Sequence, residues 1–129
     1  MTDPFDGAAH VQVTTAAASV QEADAVAAAV LDARLAACVQ VVGPVRSRFR
    51  WRGRVESAEE WLCVIKTTGA AAGAVTDEIA RIHSYDTPEI TVTPIVGGLP
   101  SYLAWIDAEV DPGGGAGGPG GEAGGQPGP

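Results

Sequence analysis

The chain has 129 residues, 46% of them hydrophobic, and a formal net charge of −8. That length fits one domain, and the acidic balance excludes a general nucleic-acid binder, which carries a basic excess. No apolar run reaches the roughly 18 residues of a membrane helix, and no basic segment followed by an apolar one opens the chain. A cytoplasmic location is therefore expected, with Cys38 and Cys63 as reduced thiols and neither membrane nor nucleic acid as a partner.

Residues 1–9 read MTDPFDGAA and carry little signal for regular structure. His10 to Thr15, HVQVTT, alternates and is β-branched, so it predicts a first strand. Ser19-Val20-Gln21-Glu22 is a capping box opening a helix, with Ala23, Val26, Ala27, Val30 and Leu31 on one face and an end near Leu35. Cys38 to Val42 predicts a short strand, Gly43-Pro44 a bend, and Val45 to Trp51 an alternating continuation. Arg52-Gly53-Arg54 suits a hairpin tip, and Trp61 to Thr68 the return strand. Ala70 to His83 predicts a second helix, weakened at Gly73 by ~1 kcal/mol relative to alanine. Ile90 to Val96 predicts a fourth strand, placed at an edge by Pro94. Pro100 to Val110 predicts a third helix with Leu103, Ile106 and Val110 buried. Residues 111–129 are rich in glycine and proline, and from Pro112 on no large apolar side chain occurs, so this tail is expected to stay disordered.

The resulting order, βαββαβ plus a final helix, is the split βαβ, ferredoxin-like pattern of the α+β class, with residues 10–110 as the domain. That fold hosts many functions, so the sites decide. No Cys-x-x-Cys follows the first strand, no aromatic platform for RNA stands on the central strands, and no arginine-bearing phosphate loop, Walker motif or nucleophile elbow occurs. No nucleophile-and-base set emerges, which argues for a binding protein rather than an enzyme. For metal, the candidates are His83 and, behind it, Cys38 and Cys63, whose alternative roles are a structural histidine and packed core thiols. Five of the eight basic residues alternate from Arg46 to Arg54, as five like charges on one strand face. They are either a solvated face paired with Glu56, Glu59 and Glu60 or a docking surface for an anion or an acidic neighbour. Phe49, Trp51 and Trp61 favour an interface.

Five ordered motifs carry a resemblance. Arg34-Leu35-Ala36-Ala37-Cys38-Val39, Ser47-x-Phe49-x-Trp51-x-Gly53-x-Val55, Glu60 with Lys66-Thr67-Thr68, His83-Ser84-Tyr85-Asp86-Thr87-Pro88-Glu89 and Tyr102-x-x-Trp105 together resemble the CutA family, linked to divalent-cation tolerance. The resemblance implies a ferredoxin-like fold with an extended β-ribbon, a homotrimer of PII-like architecture, no established catalysis, and copper or another divalent cation as ligand. Gln40, Phe49 and Ser84 replace a common asparagine, tyrosine and proline. Copper-binding relatives can carry a first-strand cysteine and a His-His pair, where this chain has Thr14 and Ile82-His83, so weak copper binding through His83 is implied. The polar residues of these motifs that a core does not need, Lys66, Tyr85, Asp86 and Glu89, are expected with Trp51 in a cleft between subunits, binding a small metabolite or anion. The alternative is that they pair locally and hold the trimer together.

Overall fold

The computed structural model describes residues 7–111; most of the predicted tail and of the first nine residues lies outside them. The elements are β1 (His10–Ala17), α1 (Val20–Asp32), β2 (Cys38–Trp51), β3 (Arg54–Thr68), a single 3₁₀ turn (Gly69–Ala71), α2 (Ala72–Ile82), β4 (Ile90–Pro94) and α3 (Pro100–Glu109). The four strands form one antiparallel sheet in the order β2-β3-β1-β4, the ferredoxin-like arrangement.

Alternation along the two central strands sorts the sheet into two faces. Val13 pairs with Ile65, Thr15 with Cys63 and Val11 with Thr67. All six are buried, and α1 and α2 pack on them through Ala23, Val26 and Val30 and through Ala72, Val75 and Ile79. The small alanines of α1 let the helix approach closely. Thr67 satisfies its hydroxyl by donating to the Leu35 carbonyl at 2.6 Å.

The opposite face is covered by α3 at one end. There His10 Nε2 meets Asp107 Oδ1 at 2.9 Å, Arg34 donates to the Ala108 carbonyl at 3.2 Å, and Ile106 is fully buried. Ahead of β1, Ala8 packs against the core and the Ala9 carbonyl accepts the Gly69 N–H at 3.0 Å, so ordered packing starts before His10.

Several boundaries differ from expectation for local reasons. α1 ends at Asp32 because the next residues close a Schellman motif. Arg34 N–H donates to the Leu31 carbonyl and Leu35 N–H to Val30, with Arg34 itself at φ 58° in the position usually given to glycine. Gly69–Ala71 is a 3₁₀ turn capped by Thr68, and α2 starts after it at Ala72 rather than at Ala70. β4 stops at Pro94, which lies opposite Val11 at the free edge, so Ile95 and Val96 leave the strand.

The expected bend at Gly43-Pro44 does not divide β2. The strand runs through, with a cis Gly43–Pro44 peptide and a register shift between Val42 and Val45. Beyond it β2 and β3 form a ribbon closed by Arg52 (φ 53°) and Gly53 (φ 82°), a two-residue turn with both φ values positive that matches the twist of the strands. β3 therefore begins at Arg54 rather than at Trp61.

That turn corrects the reading of five arginines on one face. Arg46, Arg48 and Arg50 share a face opposite Glu59, Ser57 and Val55. Arg52 sits in the turn, and Arg54 pairs with Trp51 on the other face. The two turn residues shift the alternation, so the like charges are divided.

Candidate functional site

A cavity of about 810 Å³ lies between the ribbon and the segment after α2. Register places Ser47, Phe49 and Trp51 on the same ribbon face as Glu60, because Val45 is the partner of Glu60. From the other side come Tyr85 and residues 86–89, with Ala16 of β1 between and Arg48 at the rim. Four of the five residues expected in a cleft, Trp51, Tyr85, Asp86 and Glu89, thus converge, and they do so within one chain. Lys66 does not join them. It lies six residues along β3 from Glu60, about 20 Å at strand rise, opposite Cys38 and Gln12, and donates to Gln40 Oε1 at 2.8 Å.

Glu60 takes the place that sequence reasoning gave to Lys66. It is only 8% exposed and accepts the Tyr85 hydroxyl on Oε2 at 2.8 Å. Burial and then this carboxylate push the Tyr85 phenol up to about 12, so it stays a donor throughout the neutral range. The signal was present in the sequence, as an acid immediately before the apolar run Trp61-Leu62-Cys63-Val64-Ile65.

The loop that carries Tyr85 is held from below by two side chains. Glu22, in the first turn of α1, accepts the Ala18 N–H at 3.0 Å as part of the capping box, and also the Ser84 N–H at 2.7 Å and the Ser84 hydroxyl at 3.1 Å. Burial alone would raise its carboxyl, but these hydrogen bonds and the neighbouring His83 outweigh it and hold the group below the usual carboxylate range.

The His83 side chain is fully buried and uses both ring nitrogens. Nε2 is 2.8 Å from the Ala16 carbonyl, which can only accept, so Nε2 carries the proton. Nδ1 then accepts the Tyr85 N–H at 3.1 Å. Its ring also lies 4.8 Å from the Tyr85 ring.

These contacts decide how the proposed metal donors fit a resident ion. His83 has no nitrogen lone pair left for one. Cys63 is fully buried, donates to the Ala23 carbonyl at 3.5 Å, and burial followed by the charges of Asp24 and Glu22 pushes its thiol up to about 11, away from the thiolate that binds metal. Cys38 is buried on the other face of the sheet against Tyr102, whose phenol is raised by burial and by that contact. The three do not converge, and among the described residues no group of three or more His, Cys, Asp or Glu side chains could hold an ion. The donors do not fit a resident copper centre. No helix among the described residues is long and apolar enough to cross a membrane.

Comparison with known proteins agrees with the fold. The divalent-cation tolerance protein CutA of Archaeoglobus fulgidus is 39% identical over 102 residues, which cover 79% of this chain and 99% of that one. A solved structure described as the periplasmic divalent cation tolerance protein CutA from the same organism superposes with a TM-score of 0.77 over 79% of this chain and 99% of its own. CutA1 from Oryza sativa superposes with a TM-score of 0.78 at 30% identity, covering 81% of this chain and 95% of that one. Residues 11–109 match the family described as CutA1 divalent ion tolerance protein, and the chain belongs to that family.

Proposed function

We propose that this chain is a non-enzymatic protein of divalent-cation tolerance, working in the cytoplasm as a homotrimer of PII-like architecture. The observation that carries the reading is the match to the tolerance family along residues 11–109, nearly the whole folded domain. Two free, buried cysteines accord with a reducing compartment. Assembly is supported by the ribbon, which is too long and too apolar to stand in water by itself. Val42, Phe49, Trp51 and Val55 are each between 41% and 53% exposed on it.

Metal contact in this reading is weak and made by surface donors, since His83, Cys38 and Cys63 are committed to the core. Two measurements test it together. Expression in a host lacking its own family member should raise the divalent-salt concentration that the host survives. Copper(II) titration of the purified protein by calorimetry should show no tight site. Unchanged survival would overturn the role, and a tight stoichiometric site would overturn the account of weak contact.

A second reading is favoured by the cavity. Its volume, aromatic walls and few polar groups are those of a small-ligand pocket. In that reading the protein senses a small metabolite or anion, as a PII-like trimer would, and tolerance follows from the signal.

A further inference from the structure

Among the described residues, Glu60 is the acidic side chain that counts as buried. The ion pair formed there between charged side chains joins Arg81 to Glu78, while His10 lies beside Asp107 and His83 beside Glu22; Glu60 has no basic side chain within ion-pair distance. Tyr85 satisfies Oε2, but a neutral hydroxyl does not balance the charge, and Oε1, which bonds to none of the described residues, is open to the cavity. A half-enclosed carboxylate with one oxygen open and no counter-charge beside it is a seat for a cationic donor.

The cavity into which Glu60 opens says what that cation is. Its walls are the rings of Phe49, Trp51 and Tyr85, whose faces attract positive charge. Its charged groups are one guanidinium, Arg48, against three carboxylates, Glu60, Asp86 and Glu89. An anion would meet net repulsion there. A bare metal ion would find no three His, Cys, Asp or Glu side chains grouped to hold it among the described residues, in a space many times its size. We infer that the cavity takes a small organic cation, an ammonium or guanidinium on an apolar body. The charge is seated on Glu60 and the body lies against Phe49 and Trp51. The inference rests on the ligand-binding reading of the cavity and supplies the ligand class, replacing an anion by a cation.

A matched pair of probes tests it on the full chain. Phenethylammonium and phenylacetate share a ring and a short arm and differ in the sign of the charge. Calorimetry should give binding, and thermal melting a raised midpoint, with phenethylammonium and not with phenylacetate. Glu60→Gln keeps an acceptor for the Tyr85 hydroxyl but removes the charge, and should weaken the amine by about tenfold or more, the loss of one charge-assisted hydrogen bond. Should that variant fail to fold, the exposed pair Asp86→Asn and Glu89→Gln serves instead, with a smaller weakening expected. Undiminished amine binding in these variants would overturn the assignment of the charge. Binding of phenylacetate alone would overturn the cationic class and leave the ligand-binding reading standing. Silence from both probes would overturn the two readings together.

Discussion

His83 shows how a residue type can suggest one chemistry and its surroundings impose another. A histidine beside a tyrosine and an aspartate reads as a candidate metal ligand or as a structural histidine when only the sequence is in view. In the fold both nitrogens serve the backbone, one at the end of β1 and one at Tyr85. Removing the ring should therefore act on stability. His83→Ala leaves the Ala16 carbonyl and the Tyr85 N–H without their partner and opens a void, and should cost about 2–4 kcal/mol. Urea denaturation measures that loss, and copper affinity measured alongside should not change. Glu22 makes a second prediction at this scale. Its folded carboxyl is depressed, so the stability it contributes is present above the unfolded value near 4.5 and is lost as pH falls through the lower folded value. Melting temperature should therefore fall below about pH 4.5 in the wild type, with a shallower acid slope in Glu22→Gln. Neither role was legible in the sequence beyond the capping box, because the Ser84 and Ala16 partners are brought in by tertiary packing.

Among the elements, the ribbon departs most from what periodicity suggests. Alternation correctly identified Val45 to Trp51 as strand, and the tip expected at Arg52-Gly53-Arg54 holds the turn, with Arg54 already in β3, since a period of two and a glycine at positive φ are local properties. The long ribbon with a bend at Gly43-Pro44 was legible too, and the register shift between Val42 and Val45 falls at that pair. The glycine is there for space. A Cβ at Gly43 would stand 2.6 Å from Trp61 Cδ1 and 3.0 Å from the Glu60 carbonyl oxygen. Gly43→Ala must push the indole or the strand aside and should cost about 1–3 kcal/mol, as overpacking does. Because the clash falls beside Glu60, amine binding in the cavity should weaken with it, and thermal melting with and without phenethylammonium separates the two effects. Lys66 lies apart from the cavity of the single chain for a related reason. Sequence supplies its residue type and its face, but distance along a strand counts as much as face, and Lys66 lies toward the far end of β3 from the cavity.

For the whole molecule, the element order made the ferredoxin-like sheet legible, and the family motifs fixed the identity of the fold. What single-chain packing leaves open is the apolar ribbon. Static light scattering behind size exclusion should give three times the 13.1 kDa chain mass; a monomer at micromolar concentration would remove the assembly from the proposal. A further expectation concerns the glycine-rich end of the chain. Deleting residues 112–129 removes no large apolar side chain, so melting temperature and subunit count should stay as they are, and a clear drop in either would assign that segment a structural part.

The position of β1 in the sheet has a consequence during synthesis. Val13 lies between Ile65 and Val92, so the first strand to be made is flanked by strands made much later. Loop closure favours the local β2–β3 ribbon first, with β1 waiting for both of its neighbours. On the ribosome, chains emerge N-terminus first, so HVQVTTAA must remain unpaired until β3 is complete at residue 68, and its other side open until residue 94 has been added. The nascent chain is then most open to wrong pairing at the segment that later becomes the most enclosed strand, and a chaperone that shields short β-branched stretches would do most for this protein in that interval.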